Sequence, residues 1–531
     1  MLEIVTTIYF NFEWYDIAKN NYWALYQKTH DISFLCRYAN CLFRLGSTRE
    51  CLEVLSSIEQ RIKERPTIEL LHLLSISYTQ ANVYLKSLEY AYKMFEMGKE
   101  IPEVWQFYFS QFLKNSQHID KPMHEWVEAY QFIWTNFSIQ FPEEEPLYTE
   151  VKALNDDDTI SDQLIEMLKS HQKSYEQTMQ MIKINKLPPS FMAALLNKGP
   201  YETWMHYYQT SDLNFWIFQG SDLQSVRDGV QTSKISEKIL CDSYTLLSIR
   251  QLNLLDELAS MYKLYIHQND FNELFNEYLN KRVISKHGLS TIAYEQGQII
   301  HTENTLGQVQ KYLEEYEDFI SWINNNCIKV GNRIANNETD EKLKFLYQSI
   351  EICGDENLIL MVDSYQIRGL AKELLDVDSF NICEWIINMF TKGRINKEKY
   401  LEYMGDLLVI GYAIIPIDDQ IIMHHLSKSH YILNDKINQL FTYLKRDDLH
   451  PEYVLEVSSR ILKWVWLESI PNFHRQTITD AVCSVVTFQK NKQEVIQNLL
   501  ALTEPLFSIL VQHQFDKLKD AANYWLLGKI I

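Results

Sequence analysis

Glycine and proline are scarce, 15 and 12 in 531 residues. With few breakers and many long side chains, the chain is expected to be mostly helical. Basic charge is in deficit: 50 Lys and Arg stand against 70 Asp and Glu, a formal charge of -20. Such a molecule repels phosphate as a whole, which excludes passive coating of DNA or RNA and requires a local basic patch for any nucleic acid. No apolar run approaches the roughly 18 residues of a membrane helix. The opening MLEIVTTIYFNFEWYD has an acid, Glu3, and no basic segment or small-residue cleavage site, so no signal peptide is expected. The eight cysteines (Cys36, Cys41, Cys51, Cys241, Cys327, Cys353, Cys383, Cys483) form no CxxC pair and sit in apolar patterns. They read as reduced core residues of a cytoplasmic protein. A Walker-type loop, GxGxxG and GxSxG are all missing, which removes support for an NTPase, a dinucleotide enzyme or a serine hydrolase.

What is present falls into four stretches. Residues 1–140 carry helical periodicity, with a repeated outline. FLCRYANCLFRLGSTRECLEVL (34–55) has Leu35, Ala39 and Leu42, a turn at Gly46 and small Cys51; LLHLLSISYTQANVYLKSLEYAYKMF (70–95) repeats it, with Tyr78 where Leu42 stood. Small residues at fixed places and a period near 34 predict a degenerate tetratricopeptide-type α-solenoid. Residues 141–235 begin with an acidic, proline-containing linker, FPEEEPLYTEVKALNDDDTISD. A helical connector follows, in which Pro188, Pro189, Gly199 and Pro200 bracket one short helix and open another. From 236 to 375, the short apolar runs KILCD (238–242), KLYIH (263–267), NCIKV (326–330) and LILMVD (358–363) alternate with helical segments. That alternation predicts a parallel α/β sheet. Residues 376–531 return to helix.

Acids stand at strand ends. Asp242 closes the first run, Glu273 lies early in the helix after the second, Asp340 and Glu341 open a helical stretch, and Asp363 closes the fourth. Strand C-termini of a parallel sheet share one edge, so these acids can converge. Converging carboxylates repel unless a hard cation sits among them, and Mg²⁺ or Mn²⁺ prefers such oxygen ligands. The matching chemistry is phosphodiester hydrolysis. The alternative for Asp242 and Asp363 is a helix cap, with Glu273 merely solvated.

The stretch KILCDSYTLLSIRQLNLLDELASMYKLYIHQNDFNELFNEYL, the long helix LGQVQKYLEEYEDFISWI, NNCIKV and NLILMVDSYQIRGLAKEL together resemble a PIN-domain nuclease. The resemblance is to the bacterial kind joined to tetratricopeptide-like regions, and runs more loosely into the connector and the tail. It implies Asp242, Glu273 and Asp363 as holders of Mg²⁺ or Mn²⁺, with Ser243 and Ser364 as supporting hydroxyls. For the family's third acid, Asp340 is preferred over Glu341. Asp340 lies 23 residues before Asp363 (363 - 340), further than the family's spacing, and Val362 and Ser364 replace the second acid or threonine usual beside the last acid. His267, at a strand end near Glu273, is a further supporting candidate. Lys281, Arg282 and Lys286 are candidate phosphate contacts, and Lys392, Arg394, Lys397 and Lys399 form a second basic cluster.

The expected function is a cytoplasmic, metal-dependent ribonuclease acting on single-stranded RNA, a defence or toxin-like effector. Its solenoid would dock a protein partner, and the chain could also self-associate. The alternatives are an inactive PIN-like interaction scaffold and a DNA-directed nuclease in genome defence. The histidines His424, His425 and His430 lack the spacing and neighbours of a zinc set.

Overall fold

The computed structural model describes residues 1–147, 160–185, 187–209, 223–283, 289–295, 298–332, 344–412, 418–446, 449–488 and 491–530. Asp340, Glu341 and Lys286 lie outside the described residues, as does most of the acidic linker.

The N-terminal region is a stack of antiparallel helices, among them Ile32–Arg44 with Thr48–Ser57 and Ile68–Gln80 with Tyr84–Met97. Its repeat is visible in the backbone as well as in the side chains. The turns inside the two pairs carry left-handed residues, Gly46 (φ 80°) and Asn82 (φ 59°), 36 positions apart. Asparagine is one of the few residues besides glycine that visits this region readily. Ala39, Cys51, Ser75, Ser87 and Ala91 are buried at the contacts. Small side chains there let paired helices approach closely.

The replacement of Leu42 by Tyr78 at the equivalent place has a chemical reason. The Tyr78 hydroxyl donates to Glu59 Oε2 at 2.8 Å, Lys86 Nζ approaches the same oxygen at 3.1 Å, and the Tyr90 hydroxyl donates to Oε1. Burial opposes charge on Glu59, yet these donors outweigh it and hold the carboxyl down at about 2. Because the folded chain then binds fewer protons than the unfolded one, this contribution is present above the unfolded value near 4.5 and is lost as pH falls from there toward 2. Glu59→Gln is expected to cost about 1–3 kcal/mol at pH 7. In urea melts the gap between variant and native chain should narrow from pH 5 to pH 3 and close only below about pH 2.

The centre of the chain is a five-stranded parallel sheet of β1 (Lys238–Cys241), β2 (Lys263–His267), β5 (Cys327–Val330), β6 (Ile359–Met361) and β7 (Ser379–Phe380). The strand order across it is β5-β2-β1-β6-β7. The first four occupy the apolar runs expected to form them. Ile239, Leu240 and Cys241 of the middle strand are fully buried, because helices cover both faces of the sheet. Two features lack a signature in the sequence. β3 (Leu289–Glu295) and β4 (Gln298–Asn304) form a separate antiparallel hairpin, and β4 is mostly exposed. β7 is two residues long and lies beyond 375.

From Ile382 onward the described residues are mainly helical, and their core is continuous with that of the sheet: one apolar cluster runs from Ile182 through Cys241, Ile266 and Trp385 to Ile461 and Ala522. A second core, Leu35 to Phe137, belongs to the N-terminal stack. All eight cysteines are buried free thiols. Among the described residues no single helix is long and apolar enough to cross a membrane.

The N-terminal stack is fastened to the sheet. Asn332, just after β5, donates its backbone N–H to the Phe12 carbonyl at 2.8 Å, and its own carbonyl accepts from Trp14 Nε1 at 3.0 Å. Gly331 is required here, since a Cβ would lie 2.2 Å from the Phe12 oxygen. The helix after β2, Gln268–Val283, is held along its length: Gln268 Nε2 donates to the Arg44 carbonyl (3.1 Å), Phe275 meets Phe43 edge to face (6.1 Å), and Lys114 Nζ donates to Asn280 Oδ1 (3.1 Å).

Candidate metal centre

β1 ends at Cys241, and Asp242 follows at the sheet's C-terminal edge. Its Oδ1 accepts the Thr245 N–H at 2.8 Å, capping the helix Ser243–Gln251. Cap and cleft are the same residue, so the two readings of Asp242 are compatible. Beyond this cap the carboxyl lines a cleft of about 510 Å³ together with Ser243, Asp270 and Glu273.

The helix Gln268–Val283 starts directly after β2, so its first two turns stand at the same edge. Asp270, Glu273 and Glu277 recur at intervals of three and four and therefore share one helix face. Asp270 is the functional candidate that sequence reasoning missed. Its Oδ2 is buried and has no hydrogen-bond partner. Burial raises its pKa well above the usual carboxylate range, and the charges of Glu273 and Asp242 add to this. Asp242 is pushed up to about 7, mainly by burial and further by Asp363, against the pull of Thr245. Glu273 stands toward solvent, but the cleft walls desolvate its carboxyl and Glu277 repels it, which raises its pKa. Each of these acids resists ionisation where it sits.

Glu277 has another task. It accepts backbone N–H groups from Tyr201 (2.9 Å) and Glu202 (2.9 Å) and the Tyr316 hydroxyl (3.2 Å). It thereby caps the connector helix Pro200–Gln209 and binds the connector to the acid-bearing helix. Gly199 makes this approach possible, because a Cβ would come within 2.1 Å of the Glu277 carboxyl.

Asp363 lies on the other side of Asp242, in a narrower pocket with Ser364, Pro189, Ser190 and Tyr412. Its carboxylate is committed to the fold: Oδ1 accepts the Ile382 N–H at 3.0 Å and Oδ2 the Tyr412 hydroxyl at 2.5 Å. It is buried, 6% exposed, and burial raises its pKa against these donors. Ser364 caps the helix Tyr365–Leu375 through the Ile367 N–H and donates to Gln366. Ser243 opens its helix at the cleft wall. His267 is buried away from the cleft; its Nδ1 accepts the Asn269 N–H, and burial pushes its pKa down to about 4, so it is neutral.

Of the described basic candidates, one reaches the cleft. Lys281 lines the cleft and pairs with Glu202 at 2.7 Å. Arg282 turns to the N-terminal stack, within 3.5 Å of Gln80 Oε1. Arg394 pairs with Glu257 at 2.7 Å, and the cluster from Lys392 to Lys399 contributes nothing to the cleft lining.

An all-protein cage is absent: no three His, Cys, Asp or Glu side chains among the described residues come together tightly enough to hold one ion. The donor set nonetheless fits a hard cation of the Mg²⁺ type, which is bound through one or two carboxylates, waters and substrate phosphates. A buried carboxylate oxygen without a partner, beside two more carboxylates, is the arrangement such an ion relieves.

No curated protein matches the chain. Residues 240–373 match the family model of the PIN domain associated with the TPR-GreAB-C-PIN system. The match spans Asp242, Asp270, Glu273 and Asp363, and PIN domains are a nuclease-type family. The chain thus carries a PIN domain, set between a tetratricopeptide-like helical region and a helical tail.

Proposed function

We propose that this protein is a cytoplasmic, divalent-metal-dependent endonuclease that hydrolyses single-stranded RNA under the control of its N-terminal helical region. The observation that carries this reading is the convergence of Asp242, Asp270 and Glu273 on one cleft, with an unpartnered buried oxygen on Asp270. Asp242 and Asp270 would hold the ion, and Glu273 at the solvent side would hold and orient its waters. Mg²⁺ or Mn²⁺ bound there supplies activation of water and stabilisation of charge on phosphate and leaving oxygen. The protein needs no nucleophile of its own. Asp363 ties the end of β6 to Ile382 and Tyr412, and its backbone N–H donates to Thr245 Oγ1 in the helix that Asp242 caps. The helical region, fastened along the acid-bearing helix, would pass a partner's binding to the acids.

The test is incubation of the full chain with a labelled single-stranded RNA pool in Mn²⁺ or Mg²⁺, with and without EDTA. Metal-dependent cutting is expected, and single-stranded DNA of the same sequences should be cut at least about tenfold more slowly, about 1.4 kcal/mol in the barrier. Equal cutting of DNA would favour the genome-defence reading. Silence with both, in the presence of cell lysate as a source of activator, would favour a scaffold.

A further inference from the structure

The cleft has a second wall, made by the connector. Ser190, Ala193, Ala194, Asn197, Lys198 and Gly199 face the acid-bearing helix across it. Among the described cleft-lining residues the only cations are Lys198, from the connector, and Lys281, from the acid-bearing helix. They meet on one carboxylate: Lys198 Nζ lies 2.6 Å from Glu202 Oε1 and Lys281 Nζ 2.7 Å from Glu202 Oε2. Glu277 comes only to 4.0 Å from Lys281 and spends its oxygens on backbone donors and Tyr316. An ammonium has three donors. Both lysines are partly open to solvent, 35% and 25%. Lys281 follows Glu273 by eight residues, about 12 Å along the helix axis. A few nucleotides of a single strand span that distance.

We infer that Lys198 and Lys281 form a phosphate clamp bridged by Glu202, so that the connector supplies half of the substrate-binding site and one polynucleotide strand runs from the clamp to the acids. The inference rests on the nuclease reading for its substrate, but it concerns binding and is measured without cleavage. A cleft of about 510 Å³ lies between the two walls, within the size range of a small-molecule site. It confines the ligand to a single strand. Glu202 is the polarity control of the clamp, because it holds both lysines and also competes with phosphate for them.

The experiment is anisotropy of a labelled ten-nucleotide oligouridylate with the full chain in Ca²⁺, titrated over a range of salt, alongside cleavage in Mn²⁺. Lys198→Gln and Lys281→Gln are each expected to weaken binding about threefold and to lower the slope of log affinity against log salt by about 0.7. Lys198→Arg should retain it. Glu202→Gln is expected to tighten binding, the opposite of what a merely structural ion pair would give, and thermal melts of each variant separate folding from binding. Lysine-dependent binding without cleavage by the native chain would leave the clamp standing and overturn the nuclease. Cleavage with salt slopes unchanged in all variants would overturn the clamp alone. Loss of affinity in Glu202→Gln with an unchanged melt would also overturn it, and so would a duplex bound as tightly as the single strand.

Discussion

Asp242→Asn and Asp270→Asn are each expected to lower metal-dependent RNA cleavage by about 100-fold or more, about 2.7 kcal/mol in the barrier, while raising the melting temperature of the metal-free chain. Both halves follow from one arrangement. The acids sit in a desolvated cleft and repel one another, so each ionised carboxylate costs stability unless a cation is present. Amide substitution removes the charge and keeps the shape. At position 242 it also keeps the cap, since asparagine accepts the Thr245 N–H as well as aspartate does. The folded pKa of Asp242 lies above its unfolded value, so its cost grows as pH rises from about 4 to about 7. The gain from Asp242→Asn should therefore be larger at pH 8 than at pH 4. Calorimetry with and without Mn²⁺ checks this: native chain should be stabilised by the ion and the two variants much less. A variant that melts lower than native without metal, or responds equally to Mn²⁺, would contradict the cleft as a metal site.

Much of the architecture can be read from residues alone, and the reason is burial. β1 is covered on both faces, so it appears as an unbroken apolar run and the acid after it stands out, whereas the edge strand β5 exposes Ile328 and admits Lys329 and still keeps enough apolar character to be read. Helix pairs in the N-terminal region announce themselves through small residues and a turn repeated 36 positions on. Asp270 was legible in principle, because 270, 273 and 277 share one helix face. An acid in a helix's first turn is so common a complement to the helix dipole that it draws no notice. The β3–β4 hairpin escapes because an exposed strand needs no apolar pattern. The environment of Asp363 escapes for a different reason. Its partners arrive 19 and 49 residues later, from Ile382 and Tyr412, and no local spacing encodes them.

That distant environment sets the second large effect. Asp363→Ala is expected to destabilise the chain by roughly 2–5 kcal/mol, because it leaves the buried Ile382 N–H without its acceptor and takes away the carboxylate that the Tyr412 hydroxyl bonds. Asp363→Asn should cost about 1 kcal/mol or less, since its oxygen can accept from Ile382 while its amide donates to the Tyr412 oxygen. The pair of variants separates two roles that a single alanine would confuse. If Asp363 acts by tying the end of β6 to the helix that Asp242 caps, the asparagine variant keeps most of its cleavage activity. A fully folded Asp363→Asn chain with activity down about 100-fold would instead make its charge part of the metal centre. Urea denaturation gives the first quantity and initial rates in Mn²⁺ the second.

The fastening of the helix Gln268–Val283 to Arg44, Phe43 and Lys114 works in both directions. This helix borders the cleft and the helical stack at once, with Asn280 touching both. Thermodynamic linkage makes such coupling reciprocal: whatever shift in cleft affinity a protein bound to the stack produces, an ion or strand in the cleft returns in equal measure to that protein. On the proposed reading, a bound strand would then help to decide how long such a protein stays.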